Sequence, residues 1–173
     1  MKQVEGEERS ELQSWISLDK GEESQWRAKV EAFRQKLTGI LVLQKEDSSY
    51  RAVMITDFGL KVIDLQIFDN GTYLCHHIMK HLDYDFVKDS FVNNLRMLLS
   101  VSDQELTKYQ NLDGFDMVYA PQTKMLYYWQ DDELTKVERY RSKSKIWANA
   151  HKNNNNIIIE QVKPQLSILL KPL

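Results

Sequence analysis

The chain has 173 residues, 42% hydrophobic and 10% aromatic, and its 23 Lys and Arg against 25 Asp and Glu leave a net charge of −2. So much apolar material excludes intrinsic disorder and suffices for one domain with a sizeable core. A pI of 6.1 excludes a dedicated nucleic-acid binder, whose affinity rests on basic groups neutralising phosphates; the count of 6 Gly and 3 Pro excludes collagen-like chains, and the lone Cys75 excludes a disulfide scaffold.

Residues 1–21 are rich in acids with scattered apolar positions and read as a flexible polar leader, which leaves 22–173 as a single domain. No stretch reaches the roughly 20 apolar residues of a membrane span, and the start lacks the apolar run of about 7–15 residues that a secretory signal needs. The chain is therefore expected to be cytoplasmic if the sequence is full length, or a mature chain whose signal has been removed.

Over 22–37, Trp26, Val30, Phe33 and Leu37 fall on one face of a 3.6-residue turn among charged residues, and the spacing predicts a helix. Gly39 ends it. The pattern then changes to strands at 38–45, 50–56, 60–68 and 72–80, rich in Val, Ile, Leu and Tyr, with joints at Glu46-Asp47-Ser48-Ser49, Asp57-Phe58-Gly59 and Asp69-Asn70-Gly71. Short joints demand antiparallel neighbours. Over 50–56 both faces carry apolar residues, Ala52 and Met54 on one and Val53 and Ile55 on the other, so the second face is covered or looks into a cavity.

Helical spacing returns over 84–100, where Phe86, Val87, Phe91, Leu95, Leu98 and Leu99 form a stripe and Asp83 or Asp85 suits the N-cap. Residues 101–113 are polar, a loop or one helical turn. Strands resume at 115–120, 125–130, 134–141, 145–151, 156–162 and 165–171. This order predicts an α+β, mainly β fold: a curved antiparallel half-barrel of about ten strands with two helices packed on its concave side.

Chemistry is sparse. Cys75, His76, His77 and His81 attract attention, yet on a strand His77 and His81 lie about 13 Å apart, too far to share one ion. No nucleophile elbow, Walker loop or dinucleotide fingerprint is present. No metal, cofactor or enzymatic activity is expected. The basic run Arg139, Arg141, Lys143 and Lys145 around Tyr140 reads as a solvated strand face, with a phosphate-facing patch as the alternative. Soft apolar residues stand out instead: Met54, Met79, Met97, Met117 and Met125 with Tyr119, Tyr127, Trp129 and Trp147. Methionine adapts to varied apolar neighbours. These residues are either ordinary core or the lining of an apolar cavity, for which the set is Met54, Met97, Met117, Tyr119, Met125, Tyr127, Trp129 and Trp147.

The chain resembles the bacterial LolA/LolB-type lipoprotein carriers, and within them the outer-membrane receptor LolB. The resemblance lies in the order of short stretches across 24–173: Ser24-Gln25-Trp26-Arg27, Thr38-Gly39, Tyr50-Arg51, Ile55-Thr56-Asp57-Phe58-Gly59, Leu65-Gln66-Ile67, Asn94-Leu95-Arg96 before Leu98, Tyr140, Ile157–Ile159 and Leu166–Leu170. It implies non-enzymatic binding of acylated lipoprotein or lipid in an apolar cavity, for trafficking or insertion at the outer membrane. It also implies a membrane-contacting loop at Phe58 and Gly59, where the receptor carries a protruding leucine before a glycine. The receptor's proline in that loop is missing here, as is its N-terminal lipid-bearing cysteine. The implied partners are acyl chains, a periplasmic carrier protein and the membrane surface, with no nucleic acid. The implied state is a periplasmic monomer, anchored to the outer membrane through a removed lipidated segment. The alternative is a scaffold lipoprotein of the same fold with a filled core.

Overall fold

The structure, a computed structural model, describes residues 2–3, 14–32, 34–99, 106–110, 116–142 and 144–173. Its strands in the first half are β1 (Lys2–Gln3), β2 (Glu23–Ala32), β3 (Gln35–Lys45), β4 (Ser49–Thr56), β5 (Lys61–Phe68) and β6 (Tyr73–Ile78). A 3₁₀ turn (Lys80–Leu82) and the helix α1 (Asp85–Arg96) follow. The second half holds β7 (Thr107–Gln110), β8 (Asp116–Ala120), β9 (Met125–Gln130), β10 (Glu133–Ser142), β11 (Lys145–Asn153), β12 (Asn156–Gln161) and β13 (Leu166–Pro172).

All thirteen belong to one open sheet, in the order β1-β7-β8-β9-β10-β11-β12-β13-β2-β3-β4-β5-β6. Every pairing between neighbouring strands is antiparallel. The expected half-barrel of ten strands with two helices is therefore corrected. The sheet has eleven strands of five residues or more, lengthened at one edge by the short β1 and β7, and α1 is the one α-helix among the described residues.

The helix expected over 22–37 is two strands. Along β2, Trp26, Ala28, Val30 and Ala32 alternate with Arg27, Lys29 and Glu31, and Ala28 and Val30 are buried. That is a period of two. The helical spacing of Trp26, Val30 and Leu37 coexists with it because two small alanines complete the apolar face. β2 is then held on both sides, by β13 from Leu166↔Ala32 to Pro172↔Trp26 and by β3 from Glu23↔Gln44 to Ala32↔Gln35. Phe33 lies outside the described residues. At Gly39 a side chain would run into the Ile55 backbone, so the close pairing of β3 with β4 needs glycine.

The helix read over 84–100 is α1, which buries Val87, Phe91, Val92 and Leu95. Its N-cap is Tyr84, without a side-chain capping bond. Asp83 and Asp85, the expected caps, instead each pair with Lys88 at 3.0 Å. On adjacent residues, Asp89 accepts the Tyr73 hydroxyl of β6 (2.8 Å) and Ser90 accepts the Gln161 amide of β12 (3.1 Å). Flat, those two strands would lie roughly 29 Å apart at the usual spacing, so the sheet bends around α1. The core lies between them, from Leu43, Met54 and Leu65 through Leu95 and Leu98 to Tyr127, Val137 and Ile159.

Of the expected leader, residues 14–21 are described together with Lys2 and Gln3. Ile16 is buried and its amide donates to the Leu98 carbonyl (3.1 Å), while the Trp15 indole donates to the Leu134 carbonyl (2.7 Å).

A meander places alternate turns at the same end. One end carries residues 57–60, 121–124, 144, 162–165 and the start of α1. The other carries 46–48, 69–72, 131–132 and 154–155, together with the end of α1, where Arg96 donates to the Gly71 carbonyl.

Candidate functional site

The turn between β4 and β5 is built stiff and apolar. The Thr56 amide donates to Leu60 O (2.8 Å), the Gly59 amide to Thr56 O (2.9 Å), and the Leu60 amide to Thr56 Oγ1 (3.1 Å). Asp57 accepts Thr38 Oγ1 (2.8 Å) and pairs with Arg27 (2.9 Å). Gly59 sits at φ +79°, with open space where a side chain would be, so its requirement is conformational. On this polar base Phe58 is 91% exposed and Leu60 58% exposed.

The rest of that end continues the theme. Of the eight large apolar side chains left exposed among the described residues, six lie there: Phe58, Leu60, Tyr84, Phe86, Ile146 and Val162. Tyr84 and Phe86 stack at 5.6 Å beside the start of α1. Lys124, Arg141, Lys145 and Lys163 stand among them. The opposite turns carry Glu46, Asp47, Asp69, Asp131 and Asp132.

The residues read as core or cavity lining take these places. Met54, Met97, Met117, Met125, Tyr127 and Trp129 are buried, and Tyr119 and Trp147 are half-buried. Tyr127 stacks on Trp129 (5.7 Å) and its hydroxyl donates to the Met125 sulfur (3.3 Å). The Trp129 indole N–H is buried with no hydrogen-bond partner among the described residues.

Trp147 lies apart from that group, on a cleft of 420 Å³ between α1 and the turns of the apolar end. Its walls include Phe86, Asp89, Lys124, Arg139, Arg141 and Trp147. The Trp147 ring lies 5.9 Å from the Arg139 guanidinium and 4.9 Å from that of Arg141. Burial, then the nearby charge of Arg96, pushes Arg139 down to about 10. On the other side of β10, Glu138 accepts the hydroxyls of Tyr128 (2.7 Å) and Tyr140 (2.5 Å) and pairs with Lys136. A second cleft, of 520 Å³, lies near Arg34 and Gln165; there Glu31 pairs with Lys29 (2.7 Å) and Lys36 (3.7 Å).

The histidines of β6 serve local bonds. His76 Nε2 meets Gln66 Oε1 at 3.2 Å and His77 Nε2 meets the Lys61 carbonyl at 3.1 Å. Burial pushes the Cys75 thiol up. Among the described residues no three His, Cys, Asp or Glu gather as a metal site. No helix of the described residues is long and apolar enough to cross a membrane. Residue-by-residue reading missed the shared end of Tyr84, Phe86, Ile146 and Val162. The parity of turns in a meander is the signal that gives it.

No protein-family model and no curated protein sequence matches the chain. Solved structures do. A domain described as an outer membrane lipoprotein-sorting protein from Vibrio parahaemolyticus superposes with a TM-score of 0.52 at 8% identity, over 87% of this chain and 82% of that one. A DUF1329 family protein from Desulfovibrio piger superposes with a TM-score of 0.53 at 9% identity, over 88% and 84%. The chain shares its fold with these two structures. At such identity the likeness is one of fold.

Proposed function

We propose that this chain binds the acyl chains of lipoproteins or lipids, without chemistry on them, and serves lipoprotein trafficking or insertion at the outer membrane. The observation that carries the reading is the concentration of exposed apolar side chains at one end of the sheet, with Phe58 and Leu60 on a stiff turn. A turn so well hydrogen-bonded gains nothing for its own fold by exposing a phenylalanine. An apolar phase outside the protein does gain from it. The fold shared with a lipoprotein-sorting domain supports the same reading.

In this proposal Phe58 and Gly59 form the membrane-contacting turn, as in the receptor branch of the family. Acyl chains lodge between α1 and the sheet, where Met54, Met97 and Met125 re-pack around them beside Tyr127, Trp129 and Trp147, whereas Met117 and Tyr119, opposite Tyr128 and Leu126 in the pairing of β8 with β9, belong to the other face of the sheet. Each buried CH₂ contributes about 0.8 kcal/mol. The protein works as a periplasmic monomer that receives cargo from a carrier. The close burial of Met54, Met97, Met125, Tyr127 and Trp129 favours a second reading, a scaffold with a filled core.

Native mass spectrometry of the purified chain separates the two. The carrier reading expects copurified diacylated species, or uptake of a fluorescent fatty acid that is displaced by phospholipid. A chain that carries no lipid and takes up none is the scaffold.

A further inference from the structure

The cleft of 420 Å³ between α1 and the turns at the apolar end has a charge arrangement that the acyl reading does not use. Arg139 is largely withdrawn from water, and its Nε is buried with no hydrogen-bond partner among the described residues. A guanidinium has five donors and no acceptor, and leaving one unpaired is costly. Neither Arg139 nor Arg141 makes an ion pair among the described residues; each has the Trp147 ring as its contact instead. A ring contact engages the face of the guanidinium and leaves its N–H edge for an anion. Asp89, the carboxylate on the wall, accepts the Tyr73 hydroxyl on one oxygen (2.8 Å), and its charge reaches Arg139 without forming an ion pair with it. The neighbouring cleft differs, because its Glu31 pairs with Lys29 (2.7 Å) and Lys36 (3.7 Å).

We infer that this cleft is an oxyanion site that takes one phosphate group, as a monoester or diester, between Arg139 and Arg141 against Trp147. Two guanidinium forks match the several oxygens of a phosphate, whereas a lone carboxylate is satisfied by one. Lys124 adds a third positive charge, and its turn is tied to β10 by the Tyr140 amide donating to the Lys124 carbonyl (2.9 Å). The volume lies within the range of small-molecule sites, about 300–1,000 Å³. The phosphate comes from a lipid headgroup or from a free phosphate. Only the choice of the headgroup rests on the function proposed above.

The experiment follows the indole N–H signals of the folded full chain by NMR, with Trp147 assigned through Trp147→Phe. Short-chain phosphatidylglycerol, inorganic phosphate and glycerol are the three probes. The site predicts a saturable shift of Trp147 with a phosphate-bearing probe and none with glycerol. It predicts at least fivefold weaker binding in Arg141→Gln, whose side chain is exposed. Arg139→Lys, which keeps the charge and loses the fork, is expected to weaken binding likewise while the chain stays folded, as its dispersed NMR spectrum checks. A response to inorganic phosphate equal to that of the lipid makes free phosphate the source; a response to the lipid alone makes it the headgroup. No shift with either, an equal shift with glycerol, or full binding in Arg141→Gln overturns the site. Lipid that copurifies without a phosphate response counts against the site alone, and a phosphate response without bound lipid counts against the acyl reading alone.

Discussion

The two ends of this sheet are made by the same device, short joints between antiparallel strands, and they finish in opposite chemistry. At one end the turns spend polar groups on their own backbone and on one another. Asn70 Oδ1 takes the Thr72 amide (3.0 Å), Ser49 Oγ donates to Glu46 (2.6 Å), and Asp131 and Asp132 both adopt positive φ, at 51° and 63°. Acids and amides there face water. At the other end Thr56, Asp57 and Thr38 form an equally tight base, and it lifts Phe58 and Leu60 into solvent. The polar end needs only to close its hairpins. The apolar end does that and also leaves Phe58 and Leu60 in solvent, beside a cleft whose Arg139 and Arg141 form no ion pair among the described residues.

The strongest way to break this contrast is to loosen the base of the apolar turn. In Gly39→Val the new side chain meets the Ile55 backbone, which cannot yield cheaply. The expected loss is about 3 kcal/mol of stability. Thermal unfolding should show a fall in Tm of roughly 6–12 °C.

A cleaner cut leaves the fold alone. Phe58→Glu with Leu60→Glu should change stability by no more than about 0.5 kcal/mol, because both side chains are exposed. Burying a phenylalanine contributes about 1.5–3 kcal/mol, so vesicle co-sedimentation should weaken by roughly tenfold or more. If the double variant unfolds, the turn is core and the contrast between the ends fails.

Acid probes the sheet behind the turns. Burial alone would raise the Asp64 carboxyl, but hydrogen bonds from Arg51 (2.5 Å) and Lys61 (3.0 Å) outweigh it and hold Asp64 below its ordinary 3.8. A carboxylate with a depressed folded pKa contributes stability that is present above its unfolded value and lost as the pH falls through the folded one. Asp64→Asn should therefore be less stable near neutral pH, and its denaturant midpoint should fall less steeply than the parent's below about pH 4. A parallel acid limb in the two proteins would show that Asp64 is not its source.

The smallest effect is the control. Leu173 is 68% exposed at the opposite end of the sheet. Leu173→Glu should alter neither Tm nor vesicle binding, and a loss of binding there would erase the distinction between the ends.

How legible all this was in the chain varies by element. The β-branched runs from Ile40 to Val42 and from Ile157 to Ile159 read as strands and are strands, as did the stripe from Val87 to Leu95 as a helix. Trp26, Val30 and Leu37 misled because their spacing satisfies a helical period while Ala28 and Ala32, too small to register as core markers, carry the strand alternation. Asn70-Gly71 marked a turn, although only Gly71 takes positive φ, at 87°. Phe58 between Asp57 and Gly59 was visible as an anomaly. The arginines were visible only as a basic run, because nothing local distinguishes a solvated strand face from one covered by a helix.

The sequence by itself determined the strands from β4 to β6 and from β8 to β13, with their hairpin connections and the order of their turns, because these depend on contacts a few residues apart. It thereby already held the parity that gathers Phe58, Ile146 and Val162 at one end. Tertiary structure decided what lies across long separations. It seated β2 between β3 and β13, which overrode a helical pattern through backbone pairing on both sides. It bent the sheet until β6 and β12 met adjacent residues of α1. Bulges after Arg139 and Tyr140, with α1 beyond them, brought two cations against Trp147 and left one half-buried. Burial and pairing of a charge depend on every surface that closes over it, and no local stretch of chain encodes that closure.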